Sequence, residues 1–203
     1  MKMILHLEVQ RKGQAEIDAV KGFGRLPSNS DKPNFPYVRA FIAESLRFMP
    51  PIPLCQLISQ NFQGDPHALK GDDVYGNYFL PKGAWIITSD RDTLLGPDPM
   101  AFNPDRYKGN DEAMEQVLSL VFGFGRRQCP GRLFAKNSLF ALLAAPLAIC
   151  DISPGLDISG RVELPKRLCT SGSVITPGPV RISVKSRSVA AEALLAEIEE
   201  VIG

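Results

Sequence analysis

The stretch 122–131, Phe-Gly-Phe-Gly-Arg-Arg-Gln-Cys-Pro-Gly, constrains this chain more than any other. Cys129 stands between Gly125 and Gly131, directly ahead of a run that reads as a helix from Arg132 onward. A sulfur so placed lies near a helix N-terminus, whose partial positive charge favours the thiolate. Pro130 removes one backbone donor beside it. A dinucleotide-binding reading fails, because the third glycine of G-x-G-x-x-G falls at Gln128. A lone cysteine is most often a small buried hydrophobe, and residue type alone leaves that alternative open.

Two further segments carry weight by their order. Glu44 and Arg47 stand at i and i+3 in a stretch whose apolar stripe is Val38, Phe41, Ile42 and Leu46, with Pro50 and Pro51 ending the helix. That spacing puts the charged pair on one helix face. Alone it carries little, since exposed pairs are worth only a few tenths of a kcal/mol. Downstream comes Phe102-Asn103-Pro104-Asp105-Arg106-Tyr107, and then the cysteine loop.

Taken together, these segments resemble the cytochrome P450 family of haem-thiolate monooxygenases, and its fungal members in particular. Phe122, Gly125, Arg127, Cys129 and Gly131 match the family's loop Phe-x-x-Gly-x-Arg-x-Cys-x-Gly. The resemblance implies a mainly α fold with small β-sheets (α+β), the C-terminal and incomplete part of the family fold. It implies haem b (iron protoporphyrin IX) as cofactor, with Cys129 as the thiolate metal ligand. Gly125 and Gly131 would let backbone approach the porphyrin, Phe122 would pack under the sulfur, and Arg127 would pair with a propionate. Glu44, Arg47 and Arg106 would form a buried structural network bracing the core. His67, in Pro66-His67-Ala68-Leu69, is similar to a family residue that contacts a propionate.

The resemblance also implies function and partners. The expected activity is insertion of one atom of dioxygen into a small organic substrate, with electrons from an NADPH-cytochrome P450 reductase. Arg126, Arg132 and Lys136 would offer that reductase a positive face. The resemblance further implies that full-length fungal relatives sit on the endoplasmic reticulum membrane through an N-terminal anchor, and no anchor or signal is expected within these residues. The chain has 203 residues, 44% of them hydrophobic, and a net charge of +1. This suits one soluble domain and argues against a nucleic-acid partner, which needs a basic excess. Cys55, Cys129, Cys150 and Cys169 lack zinc-type spacing. The longest apolar stretch, 139–150, is shorter than the roughly 20 residues that cross a bilayer.

Along the chain, residues 3–20 read as an amphipathic helix stopped by Gly22 and Gly24, followed by a proline-rich connector over 25–36. Residues 72–83 alternate apolar and polar toward a Pro-Lys-Gly turn and read as a hairpin. Composition suggests a helix over 111–120, but the resemblance favours an irregular meander there, and the expectation follows the resemblance. Residues 139–150 read as a core helix and 170–184 as short strands with turns at Gly172 and at Pro177-Gly178-Pro179. A surface helix over 189–201 follows. The whole is expected as one partial domain, 1–195, with a tail at 196–203.

Three departures bear on activity. The resemblance implies a family fold more than twice as long, with the distal helix and its acid-alcohol pair expected outside these residues, so no catalytic residue is assignable. An extra run at 55–63 lies beside His67, and the stretch 84–92 is shorter than its counterpart, a change that shifts side chains against a sheet. Exon-boundary errors or a decayed gene would explain both. The alternative to a working monooxygenase is therefore an inactive truncated remnant or mis-predicted gene product.

Overall fold

The computed structural model describes residues 2–22, 24–51, 67–86, 98, 100–123, 125–164 and 176–202, with only the backbone of His67 and of 198–202. The extra run at 55–63, most of the 84–92 stretch, the turn at Gly172 and the His67 side chain lie outside the described residues.

Two helices open the chain, α1 (Lys2–Leu5) and α2 (Leu7–Lys21), separated at His6. Gly22 closes α2 with φ 63° and donates its N–H to Asp18. The buried face of this helix is not set by its apolar residues alone. Leu7, Ala15 and Val20 are exposed, whereas Gln10 and Gln14 are buried beside Val9 and Ile17. The reason is hydrogen bonding, since the two amides serve a strand's backbone. Gln10 donates to the Ile152 carbonyl (3.0 Å) and accepts from its N–H (2.9 Å), and Gln14 donates to the Cys150 carbonyl (3.0 Å). Buried amides with such partners escape the desolvation penalty.

The connector contains a 3-10 turn, Asn29–Asn34, held by Asp31. That carboxylate accepts from Ser28 and pairs with Lys21 (2.7 Å) and Arg25 (2.8 Å). Helix α3 (Pro36–Phe48) starts with proline at its first position, where a missing N–H costs nothing. The Glu16 carboxylate, from α2, accepts the N–H groups of Tyr37 (2.7 Å) and Val38 (2.9 Å). Burial nevertheless pushes the Glu16 carboxyl above its ordinary value, against those hydrogen bonds.

Small antiparallel pairs follow. Strand β1 (His67–Ala68) pairs with β4 (Trp85–Ile86), and β2 (Asp73–Tyr75) with β3 (Tyr78–Leu80). The β2–β3 hairpin reverses at Gly76-Asn77, while the Pro81-Lys82-Gly83 segment makes the next turn, into β4. Its Val74, Tyr75, Tyr78 and Phe79 are all exposed.

Residues 111–122 correct the meander expectation. They form a regular helix, α4 (Asp111–Phe122), and local chemistry explains it. The Asn110 side chain caps the Ala113 N–H at 3.0 Å, and Asp111 and Glu112 sit in the first turn, facing the positive helix end. Helix α5 (Arg132–Ile149) runs on from the cysteine loop and leads into β5 (Cys150–Pro154), which pairs with β6 (Ile182–Ser186). By length and composition α5 could cross a bilayer, alone among the described helices, which the shorter run at 139–150 did not suggest. Yet its Phe140, Ala144 and Leu147 are fully buried.

The last helix, α6 (Val189–Ile202), is not wholly a surface element, because Ala191 is buried in the main core and Leu194 and Leu195 pack against it. That core gathers Ile17, Phe35, Val38, Phe140, Ala144 and Leu147 from α2, α3, α5 and the connector. Gly13 lets α2 and α5 close up, since a Cβ there would stand 3.1 Å from a Leu147 methyl. Arg187 ties the end of α5 to α2, donating to the Leu147 and Ala148 carbonyls and pairing with Asp18 at 2.6 Å.

Candidate functional site

The first half of the site is a buried ionic knot around Glu44, which is 0% exposed in the middle of an otherwise apolar helix face. A carboxylate there needs every lone pair occupied. Its Oε2 accepts from Arg47 Nε at 2.7 Å, and its Oε1 from Arg47 Nη2 at 2.9 Å and the Asn103 N–H at 2.8 Å. Arg106 Nε stands 3.2 Å from Oε1 and 3.1 Å from Oε2. Both guanidinium groups also donate to the Ala101 carbonyl, each at 3.1 Å. The hydrogen bond to Glu44 raises the Arg47 pKa further, despite burial.

One member of this knot was missed in the sequence. The Tyr107 hydroxyl donates to Glu44 Oε2 at 3.1 Å, and the residue is buried. Burial first, then the neighbouring carboxylate, push the Tyr107 phenol well above its ordinary value, so it stays a donor. The only available signal was its position directly after Arg106.

The second half is the loop between α4 and α5. Gly123 (φ 74°) and Gly125 (φ 67°) adopt backbone conformations that other residues rarely take, and they reverse the chain. The Cys129 N–H donates to the Phe122 carbonyl at 2.8 Å, and the Gln128 amide to the Gly123 carbonyl at 3.1 Å. Beyond the sulfur, the Arg132 N–H bonds the Cys129 carbonyl (3.2 Å), and Gly131 caps α5. The loop is thus closed by its own backbone, and Cys129 is left exposed just ahead of an 18-residue helix.

The structure brings Glu44, Arg47 and Arg106 into one cluster. It sets Phe122, Gly125, Arg127, Cys129 and Gly131 around one loop, with Gly125, Arg127 and Gly131 exposed and the Phe122 ring packed against the main core. A Cβ on Gly125 would meet nothing within 4 Å among the described residues, and one on Gly131 would lie 3.8 Å from the sulfur. Leu133 and Phe134, in the first turn of α5, are 75% and 79% exposed. An exposed thiol, open backbone and uncovered apolar side chains therefore all fall between Gly125 and Phe134, around the helix start.

The charges nearby are partly spoken for. Glu115 of α4 pairs with Arg132 (2.8 Å) and Lys136 (2.6 Å) of α5. Burial works to raise its carboxyl, but Lys136 and Arg132 outweigh that and hold it below the ordinary value. Two of the three residues expected to form a positive face, Arg132 and Lys136, thus share a single carboxylate, which reduces that face without cancelling it.

Comparison with known proteins adds to this geometry. The sequence profile of the family described as Cytochrome P450 matches residues 1–183. Cytochrome P450 monooxygenase 105 of Postia placenta is 43% identical over 201 residues, covering 97% of this chain and 37% of that protein. Cytochrome P450 monooxygenase 45 of the same fungus is 41% identical over 204 residues, covering 98% of this chain and 37% of its own length. A zebra fish cytochrome P450 solved with progesterone superposes with a TM-score of 0.74 at 27% identity, covering 92% of this chain and 40% of that one. The chain spans about 37% of the length of these curated relatives.

Proposed function

Because this chain belongs to the cytochrome P450 family, we propose that it is the haem-holding C-terminal portion of a haem-thiolate monooxygenase, with Cys129 as iron ligand of haem b. The family implies haem, a redox partner and an organic substrate. The carrying observation is the exposed Cys129 thiol ahead of α5, held through its N–H to the Phe122 carbonyl.

The residues present fit the group. Exposed Leu133 and Phe134 suit an apolar ring, the open space over Gly125 leaves room for one, and exposed Arg127 suits a propionate. His67 is proposed as a second propionate partner. A bound haem with a thiolate ligand supplies the dioxygen activation that places one oxygen atom in an organic substrate. The chain's own residues do three things. Cys129 holds the iron, Arg127 and His67 orient the propionates, and Glu44, Arg47 and Arg106 brace the frame. Electrons come from an NADPH-cytochrome P450 reductase approaching the cysteine side, where Arg126 is exposed. No residue of this chain is assigned to proton delivery on the oxygen side.

One spectrum tests haem-thiolate ligation. Folded protein titrated with hemin, reduced and treated with carbon monoxide should show the far red-shifted Soret band of thiolate ligation. Cys129→Ser should abolish it and Cys150→Ser should retain it. A free-haem-like spectrum from the folded chain would overturn the proposal.

A further inference from the structure

We infer that Tyr107 is a positioning residue for the thiolate loop, tying the Glu44 knot to Cys129 through α4. Its hydroxyl is bonded to a carboxylate that two arginines fix in place, so the ring cannot drift. That ring packs in a small core with Met114 and Val117 of α4 and Ala40 and Ala43 of α3, joined by partly buried Val121. The next residue is Phe122, whose carbonyl accepts the Cys129 N–H at 2.8 Å. The path is continuous: Glu44, Tyr107, the buried face of α4, the Phe122 carbonyl, the Cys129 amide.

Chemistry makes the hydroxyl separable from the ring. Phenylalanine at 107 keeps the packing and loses only the donor, so Y107F unpins α4 without leaving a cavity. A hydrogen bond to a charged group is worth roughly a tenfold or larger factor in a local opening equilibrium. The other ionic ties of α4, Asp111 to Arg39 and Glu115 to Arg132 and Lys136, are carried by exposed carboxylates and hold it less firmly.

The inference rests on Cys129 being the iron ligand, but its test is read without haem. Amide hydrogen exchange is measured on the full chain, wild type and Y107F. The expected result is about tenfold faster exchange at the Cys129 amide and across 122–132, from selective local opening, with β5 and β6 unchanged. Unchanged exchange at Cys129, or an equal rise in β5 and β6, would overturn the inference, the latter because global destabilisation alone explains it. Should Y107F fail to fold, Val117→Ala must give the same selective pattern, and a uniform or absent effect again overturns it. The carbon monoxide spectrum decides the iron, and the exchange pattern decides the relay.

Discussion

At one end of α4, Glu44 is fully buried and its two oxygens are filled by Arg47, Arg106, Tyr107 and the Asn103 amide. At the other end, Cys129 is exposed, and its neighbours Arg127, Leu133 and Phe134 face outward. Both regions are built with equal backbone care, but the chain completes only the first from its own side chains. The difference separates two kinds of polar centre. A charge that folding must bury brings its partners with it, because an orphan there costs several kcal/mol. A group proposed to ligate iron, as Cys129 is here, needs no such protein partners.

Substitutions at the two ends should therefore differ sharply. Glu44→Ala should cost about 3–5 kcal/mol in urea unfolding, since it removes the carboxylate that balances two largely buried guanidinium groups. A loss under about 1 kcal/mol would mean that solvent already reaches the knot. Gln14→Ala should come next, costing about 1–3 kcal/mol by leaving the Cys150 carbonyl short of a donor. An unchanged melting curve would show that water replaces the amide.

Glu115→Gln should cost less than about 1 kcal/mol, because its partners are partly solvated. Its folded pKa lies below the ordinary 4.5, so its contribution is fully present above pH 4.5 and fades as pH falls through the folded value. The gap between wild type and E115Q should thus close in acid; a gap that widened there would reverse the assignment. Cys129→Ser should be the smallest in stability, within about 0.5 kcal/mol, while removing the red-shifted Soret band entirely. A large stability loss from that exposed position would erase the contrast between the two ends.

The legible and illegible parts of the sequence follow the same division. The cysteine loop was readable because glycine, arginine and cysteine are contiguous and each answers a local demand. Glu44 and Arg47 were readable as a pair because they share a helix turn. Tyr107 was not, since nothing about a tyrosine after an arginine shows whether its hydroxyl meets water or a carboxylate. Helix α4 is instructive in the other direction. Composition suggested a helix over 111–120, and the structure supplies its local cause in the Asn110 cap and the first-turn acids Asp111 and Glu112.

Sequence alone determined the family, the loop that presents Cys129 and the ends of α3 and α5, because those depend on neighbours in the chain: caps, prolines, glycines and a helical period. Only the tertiary structure decided which polar residues are inside. Gln10, Gln14, Glu44 and Tyr107 all lie at positions where pattern predicts solvent or says nothing. Each is buried because a backbone or side-chain partner distant in sequence stands within hydrogen-bond reach, and no one-dimensional pattern records what folding brings opposite it.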